Sequence, residues 1–224
     1  MGDSTTSYEY GWYSTDLVDP GNNSWQPLRS SVRGEQKVID FYTYMALEGR
    51  AFQVRAGTIT TPLIGDVVIT DTAAEMATSA GAGTTIIPCE LGISVRLGTG
   101  TLHEYAAKSV GATHTPGTAF IAMPLRIGGV TASSFSTVAA AGAVAVAAEL
   151  ATTTRRLWEY ANPVAAGAGN DPGLAAVASV TWMPRLPSAL DGPACFYVQI
   201  AATGTGPSYY AHYNFLELPT INVS

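Results

Sequence analysis

The side chains able to do acid–base, nucleophilic or metal chemistry are few and scattered. The three histidines, His103, His114 and His212, lie far apart and share no metal-ligand spacing. Isolated histidines within strands ordinarily serve structural ends. The two cysteines, Cys89 and Cys195, each sit in a stretch of strand character, which favours buried thiols over a disulfide. Two isolated thiols cannot complete a zinc site. Asp66, Asp71 and Glu75 are close enough in sequence to offer oxygen ligands to calcium, although acidic loop residues are ordinarily just solvated. No G-x-S-x-G nucleophile elbow and no Walker sequence is present. The glycine pairs Gly81/Gly83 and Gly98/Gly100 lack the third glycine and the following helix of a dinucleotide site. The two acids of a glycosidase can be distant in sequence, but nothing points to such a pair. The expectation is a protein that is not an enzyme and uses no cofactor or metal. Its function must then lie in surfaces.

Composition says what kind of surface. Charged residues make up 12% of the 224, against roughly a quarter in an ordinary soluble domain. A monomer exposed on all sides needs solvating charge. A weakly charged chain fits better in an assembly. The net charge is -6, and the eleven lysines and arginines are dispersed, with only Arg155 and Arg156 adjacent. That argues against nucleic acid and against anionic membranes as partners. The longest small-apolar run, Val138–Leu150, is too short to span a bilayer. Met1–Thr6 has neither the cationic nor the apolar part of a signal peptide. It formally fits the short myristoylation pattern. Asn22-Asn23-Ser24 and Asn222-Val223-Ser224 are glycosylation triplets that matter only after secretion.

The elements that must position such surfaces read as strands. The C-terminal stretch Ala194–Pro219 holds two of them, Ala194–Ala201 and Tyr209–Leu218, joined by Thr203–Ser208 as a hairpin. In the second strand Tyr209, Ala211, Tyr213 and Phe215 share one face, and Tyr210, His212, Asn214, Leu216 and Leu218 the other. Further strands are predicted at Val38–Leu47, Ala51–Thr60, Asp66–Thr70, Thr84–Leu97, Leu102–Ala107, Ala119–Ile127 and Val177–Met183. Pro88 marks an edge or bulge and Gly92 a bend. Ala73–Ala80 is ambiguous between a helical turn and a strand. Residues 128–173 form an Ala/Gly-rich insert in which Val138–Leu150 leans to strand and Ala161–Gly173 to loop. Residues 1–34 are polar and irregular but carry Tyr8, Tyr10, Trp12, Tyr13 and Trp25, which suits an arm that docks on its own domain or on a neighbour. The pattern predicts an all-β antiparallel sandwich or closed barrel, one domain over 35–224 with an N-terminal arm.

The segment Thr60-Thr61-Pro62-Leu63-Ile64-Gly65, followed by the glycine-to-apolar-proline segment Gly83–Pro88, resembles a pattern in jelly-roll proteins of tailed-bacteriophage heads. The resemblance covers roughly residues 50–128 and 177–219. It implies a tumour-necrosis-factor-like jelly roll and a head decoration (cement) or minor capsid protein, assembled in the host cytoplasm and carried on the exterior of the virion. Its implied partners are the major capsid protein and two further copies of itself in a homotrimer. The aromatic arm residues, with Tyr209, Tyr210 and Tyr213 beside the three-fold axis, are the expected interface. A receptor- or glycan-binding fibre-head module, a major capsid subunit and a hydrolase on the same scaffold are the rival readings.

Overall fold

Period-2 apolar runs bury one side of each strand and leave ladder bonds to be made in a sheet. In the computed structural model those runs build two antiparallel sheets packed into a β-sandwich. The structure describes residues 10–12, 25–27, 41–69, 74–97, 102–115, 118–128, 137–144, 154–163, 179–204 and 206–220. In chain order the strands are β1 (Tyr10–Trp12), β2 (Trp25–Pro27), β3 (Ala51–Ala56), β4 (Leu63–Ile64), β5 (Ala74–Ala80), β6 (Thr84–Leu97), β7 (Leu102–Val110) and β8 (Thr118–Ala119). They continue with β9 (Met123–Pro124), β10 (Thr137–Val144), β11 (Thr154–Pro163), β12 (Ser179–Trp182), β13 (Leu190–Asp191), β14 (Ala194–Ala202) and β15 (Ser208–Pro219). One helix, α1 (Phe41–Leu47), precedes β3.

The first sheet has the order β11-β7-β14-β5-β10-β8 and the second β12-β6-β15-β3-β9, with β13 paired to β6 and β4 to β15. β1 and β2 form a separate two-stranded ribbon. Along the chain β3, β5, β6 and β7 alternate between the sheets, β7 and β11 pair within one, and β12, β14 and β15 alternate again. The core between the sheets is aromatic. Phe196 of β14 meets Tyr213 of β15 with ring centroids 5.3 Å apart, Phe215 stacks on Phe52 at 5.6 Å, and Trp182 lies against Phe196 at 6.2 Å.

Several expectations are corrected. β14 and β15 are not a hairpin: β14 pairs with β5 and β7, and β15 with β6 and β3. The Thr203–Ser208 connection is an arch between sheets, so the inner rings of the two strands face each other across the core. Val38–Leu47 was expected as a strand, but Phe41–Leu47 is helical. Its end explains why: Gly49 adopts a φ of 73°, its N–H bonds the Ala46 carbonyl at 3.1 Å, and the Arg50 N–H bonds the Met45 carbonyl at 2.9 Å. That is a Schellman stop, which only a residue tolerant of positive φ can make cheaply. Asp66–Thr70 contributes only a parallel bridge from Asp66 to Ala201, and Ala119–Ile127 only the two-residue strand β9 and the end of β8. Within the insert the lean to strand at Val138–Leu150 is met as far as β10 reaches, whereas β11 is a strand where flanking loop was expected; both are members of the first sheet. Residues 145–150 and 164–173 of those expectations lie outside the described residues.

The segment Ala73–Ala80, ambiguous in the sequence between a helical turn and a strand, is a strand over Ala74–Ala80, buried along its whole length. At Pro88 the β6–β15 ladder slips by one residue, leaving Cys89 opposite no partner, which is the bulge a proline requires in a paired strand.

Candidate assembly surface

The outer face of the second sheet carries an ordered row of polar groups. Register pairs Gln53 of β3 with Asn214 of β15, and Asn214 with Glu90 of β6. Gln53 Nε2 donates to Asn214 Oδ1 at 3.0 Å, and Asn214 Nδ2 donates to Glu90 Oε2 at 2.8 Å. Arg55 Nε closes the row by donating to Gln53 Oε1 at 2.6 Å. These bonds hold side chains that would otherwise sample several rotamers, so the face presents donors and acceptors in preset positions. One pair along, His212 lies over Gly92, where any Cβ would run into the imidazole.

At one end of this face α1 is anchored by buried Met45 against Ala51, Leu216 and Leu218. Leu125 N–H bonds the Ala51 carbonyl at 2.9 Å, and Arg126 Nη1 bonds the Leu47 carbonyl at 2.7 Å, so the segment after β9 is tied to the helix end. Between Tyr42, Leu125 and Met183-Pro184 a groove of about 380 Å³ opens onto Ala51, Cys89 and Leu216, with Asn214 and Glu90 at its polar end. Its rim is apolar and solvated: Tyr42 is 47% exposed, Leu125 41% and Met183 64%. Phe41, Leu47, Ile127 and Leu186, from the same three segments, are also exposed. Scattered exposed apolar residues need no explanation, but several around one concavity mark an interaction site. The Cys89 thiol inside it is pushed up to about 11 by burial, so it is a poor nucleophile.

A second groove, of about 530 Å³, runs along β7 and β11 on the first sheet. It is lined by Ile69, Glu104, Lys108, Arg156 and Glu159, with Arg156 and Glu159 paired at 3.4 Å. Beside it on β11, Tyr160 stacks with Trp158 and with Tyr105, each at 6.2 Å between centroids.

One cluster looks like a nucleophile and its base. Ser79 Oγ lies 2.5 Å from His114 Nδ1 and accepts the His114 backbone N–H at 2.9 Å, and Cys195 Sγ is 4.0 Å from the same ring nitrogen. All three residues are buried. Burial lowers the His114 pKa and pushes the Cys195 thiol up to about 12, so the imidazole is neutral and the thiol protonated. The Ser79 hydroxyl and His114 thus partner each other inside the fold, away from bulk solvent. Glu75 is spoken for as well: its Oε1 accepts the Asp66 N–H at 3.1 Å and its Oε2 the Ile200 N–H at 2.7 Å. Asp71 lies outside the described residues. Among the described residues no group of three His, Cys, Asp or Glu could hold a metal ion. Both cysteines are free thiols.

The expected interface residues divide sharply. Tyr8 and Tyr13 lie outside the described residues, while Tyr10, Trp12 and Trp25 belong to the β1–β2 ribbon. Tyr209 and Tyr213 are not interface residues: at 0% and 1% exposure they fill the core between the sheets. Their strand crosses to the opposite sheet instead of pairing with β14, which turns these rings inward. Tyr210 does lie on the outer face, half buried. The groove at α1 was not foreseen. Its rim comes from three separate segments, and no short motif announces it.

No known protein family, no curated protein and no solved structure matches the chain.

Proposed function

We propose that the chain is a structural virion protein, a decoration subunit that holds to a capsid shell by surface complementarity on the exterior of the particle. In this reading the sandwich is a jelly roll, the major capsid protein is one partner, and the other is the chain itself in a homotrimer closed through the outer face of the second sheet. The alternation of consecutive strands between the sheets supports the jelly-roll part. The observation that carries the functional part is the solvated apolar rim around the α1 groove, on a chain with only 12% charged residues. Such a rim costs solubility unless a partner covers it. The preset polar row beside it supplies register, which apolar contact alone does not. The test is sedimentation of particles from infected cells. The protein should travel with the capsids, and Met183→Glu should release it. Protein found wholly in the particle-free fraction would end the proposal. Deleting residues 1–34 should weaken attachment and leave the thermal midpoint nearly unchanged.

A glycan-binding module is the second reading. The stack of Trp158 and Tyr160 beside a groove that mixes cations and carboxylates favours it. Retention of neutral oligosaccharides on the isolated protein, lost in Trp158→Ala, would move the assignment there.

A further inference from the structure

The outer face of the first sheet carries an ordered charge pattern. Tyr105 and Ala107 of β7 belong to the core, so Glu104, Ala106 and Lys108 face outward. Register sets Lys108 opposite Arg156, Ala106 opposite Glu159 and Glu104 opposite Ala161. Directly opposite residues share a face, so three rows cross β7 and β11: two cations, then Glu159, then Glu104. Like charges directly opposite each other destabilise a ladder, and here one of the two, Lys108, is only 3% exposed. The groove of about 530 Å³ lies over these rows, and its volume suits a small ligand.

A carboxylate seated across the cation row relieves the like-charge contact and takes charge-assisted bonds from an ammonium and a guanidinium. Glu159 Oε1 lies 3.4 Å from Arg156 Nε, and a guanidinium carries more N–H donors than that one contact engages. The Arg156 side chain is 63% exposed, so a ligand can reach it. One row on, about 6.8 Å along the strand, Glu159 offers acceptor oxygens, and Glu104 offers more in the next row. Acceptors in those places suit hydroxyl donors and repel a dianion such as phosphate. Ile69 adds an apolar wall for C–H groups, and the short side chain of Ala161 leaves room beside the acids. A single carboxylate with hydroxyls one ring's width away describes an acidic sugar.

We infer that this groove binds the carboxylate-bearing ring of an acidic sugar, with the carboxylate on Lys108 and Arg156 and the hydroxyls on Glu159 and Glu104. The inference rests on the glycan reading of the same groove, narrows it to a charged class, and does not need the capsid.

Saturation-transfer NMR on the full-length protein tests it with methyl β-glucuronide and with methyl β-glucoside, which lacks the carboxylate. The glucuronide should bind, the glucoside should bind several-fold more weakly, and added salt should weaken the glucuronide alone. Arg156→Gln, a substitution at an exposed side chain, should lower affinity for the glucuronide several-fold and leave the glucoside unchanged. Equal affinity for the two sugars, wild-type binding of the glucuronide by Arg156→Gln, or displacement of the glucuronide by an equal concentration of phosphate would overturn the acidic-sugar site. With equal affinities the glycan reading still stands. If neither sugar binds, the acidic-sugar site falls, and retention of neutral oligosaccharides, scored separately, decides whether the glycan reading falls with it.

Discussion

Replacing Glu75 by glutamine tests what it costs this fold to bury a carboxyl. Glu75 sits at the start of β5, where it takes over ladder positions by accepting the N–H groups of Asp66 and Ile200. Those bonds favour the charged form, but desolvation outweighs them, and the Asp66 carboxylate adds to it, so the pKa rises from 4.5 to about 7. The Tyr209 hydroxyl, which feels the Glu75 charge, faces it from β15. A rise from 4.5 to about 7 means that ionising Glu75 costs the folded chain roughly 3 kcal/mol more than the unfolded chain. The sign follows from linkage. Below pH 4.5 the group is protonated in both states and stability is at its fullest for this residue. Between 4.5 and about 7 the unfolded chain gives up the proton first, so stability falls as pH rises, and above about 7 the loss is complete. His103 and His114, whose pKa values are lowered by burial, act with the opposite sign: they cost stability as pH falls below 6.5. They are common to wild type and variant and cancel in the difference. Urea unfolding of both proteins, followed by tryptophan fluorescence from about pH 4 to about pH 8, measures that difference. It should move in favour of Glu75→Gln by up to roughly 3 kcal/mol across the window. A difference that is the same at both ends would refute the reasoning, whatever the absolute stabilities.

Other substitutions read the core and the arch. The Tyr213 hydroxyl is buried without a hydrogen-bond partner, so Tyr213→Phe should be neutral or stabilising in urea unfolding, and a loss beyond about 1 kcal/mol would show a bond there. Tyr213→Asp should abolish soluble expression, because an unpaired carboxylate between Phe196 and Phe215 costs several kcal/mol. Gly206→Ala would drive a methyl into the Gly65 carbonyl and should cost roughly 1–3 kcal/mol, with a wild-type thermal midpoint counting against this packing. Light scattering at micromolar concentration should give three times the chain mass of 23.3 kDa, and a single-chain mass would remove the homotrimer.

Strand positions were legible where alternation was long and aromatic. β6, β14 and β15 lie close to where period 2 places them, and Pro88 announced its bulge. Pairing was not legible, because alternation fixes which residues share a face but not which strand lies alongside. A short Gly/Pro-rich connection serves a hairpin and an arch equally well, and Thr203–Ser208 turned out to be the arch. α1 reads as a strand in the sequence because Phe41, Tyr42 and Tyr44 are strand formers by propensity. The Schellman stop at Gly49 and the burial of Met45 and Ala46 against β3 and β15 outweigh that weak preference. β11 was missed because Thr154–Pro163 sits in a region whose composition reads as loop, and its partner β7 is remote in sequence.

The misplaced pairing also changes what the C-terminal rings mean. If β14 and β15 were neighbours in one sheet, Phe196, Tyr197, Tyr209, Tyr210, Tyr213 and Phe215 would crowd both faces of one hairpin and demand a cover from outside the chain. In opposite sheets Phe196, Tyr209, Tyr213 and Phe215 point into one core, and most of that demand disappears. What remains on outer faces is Tyr197, already buried with Ala74, Ala77, Val110 and Cys195, and Tyr210, half buried beside the polar row. The case for assembly therefore moves away from the C-terminal aromatics. It moves to Tyr42, Leu125 and Met183, which stand exposed around the α1 groove. A single-residue test follows from that shift. Tyr213→Phe must leave oligomerisation untouched, whereas Met183→Glu, which puts a charge on the groove rim without entering the core, must weaken it. Equal effects of the two substitutions on the scattering mass would return the interface to β15.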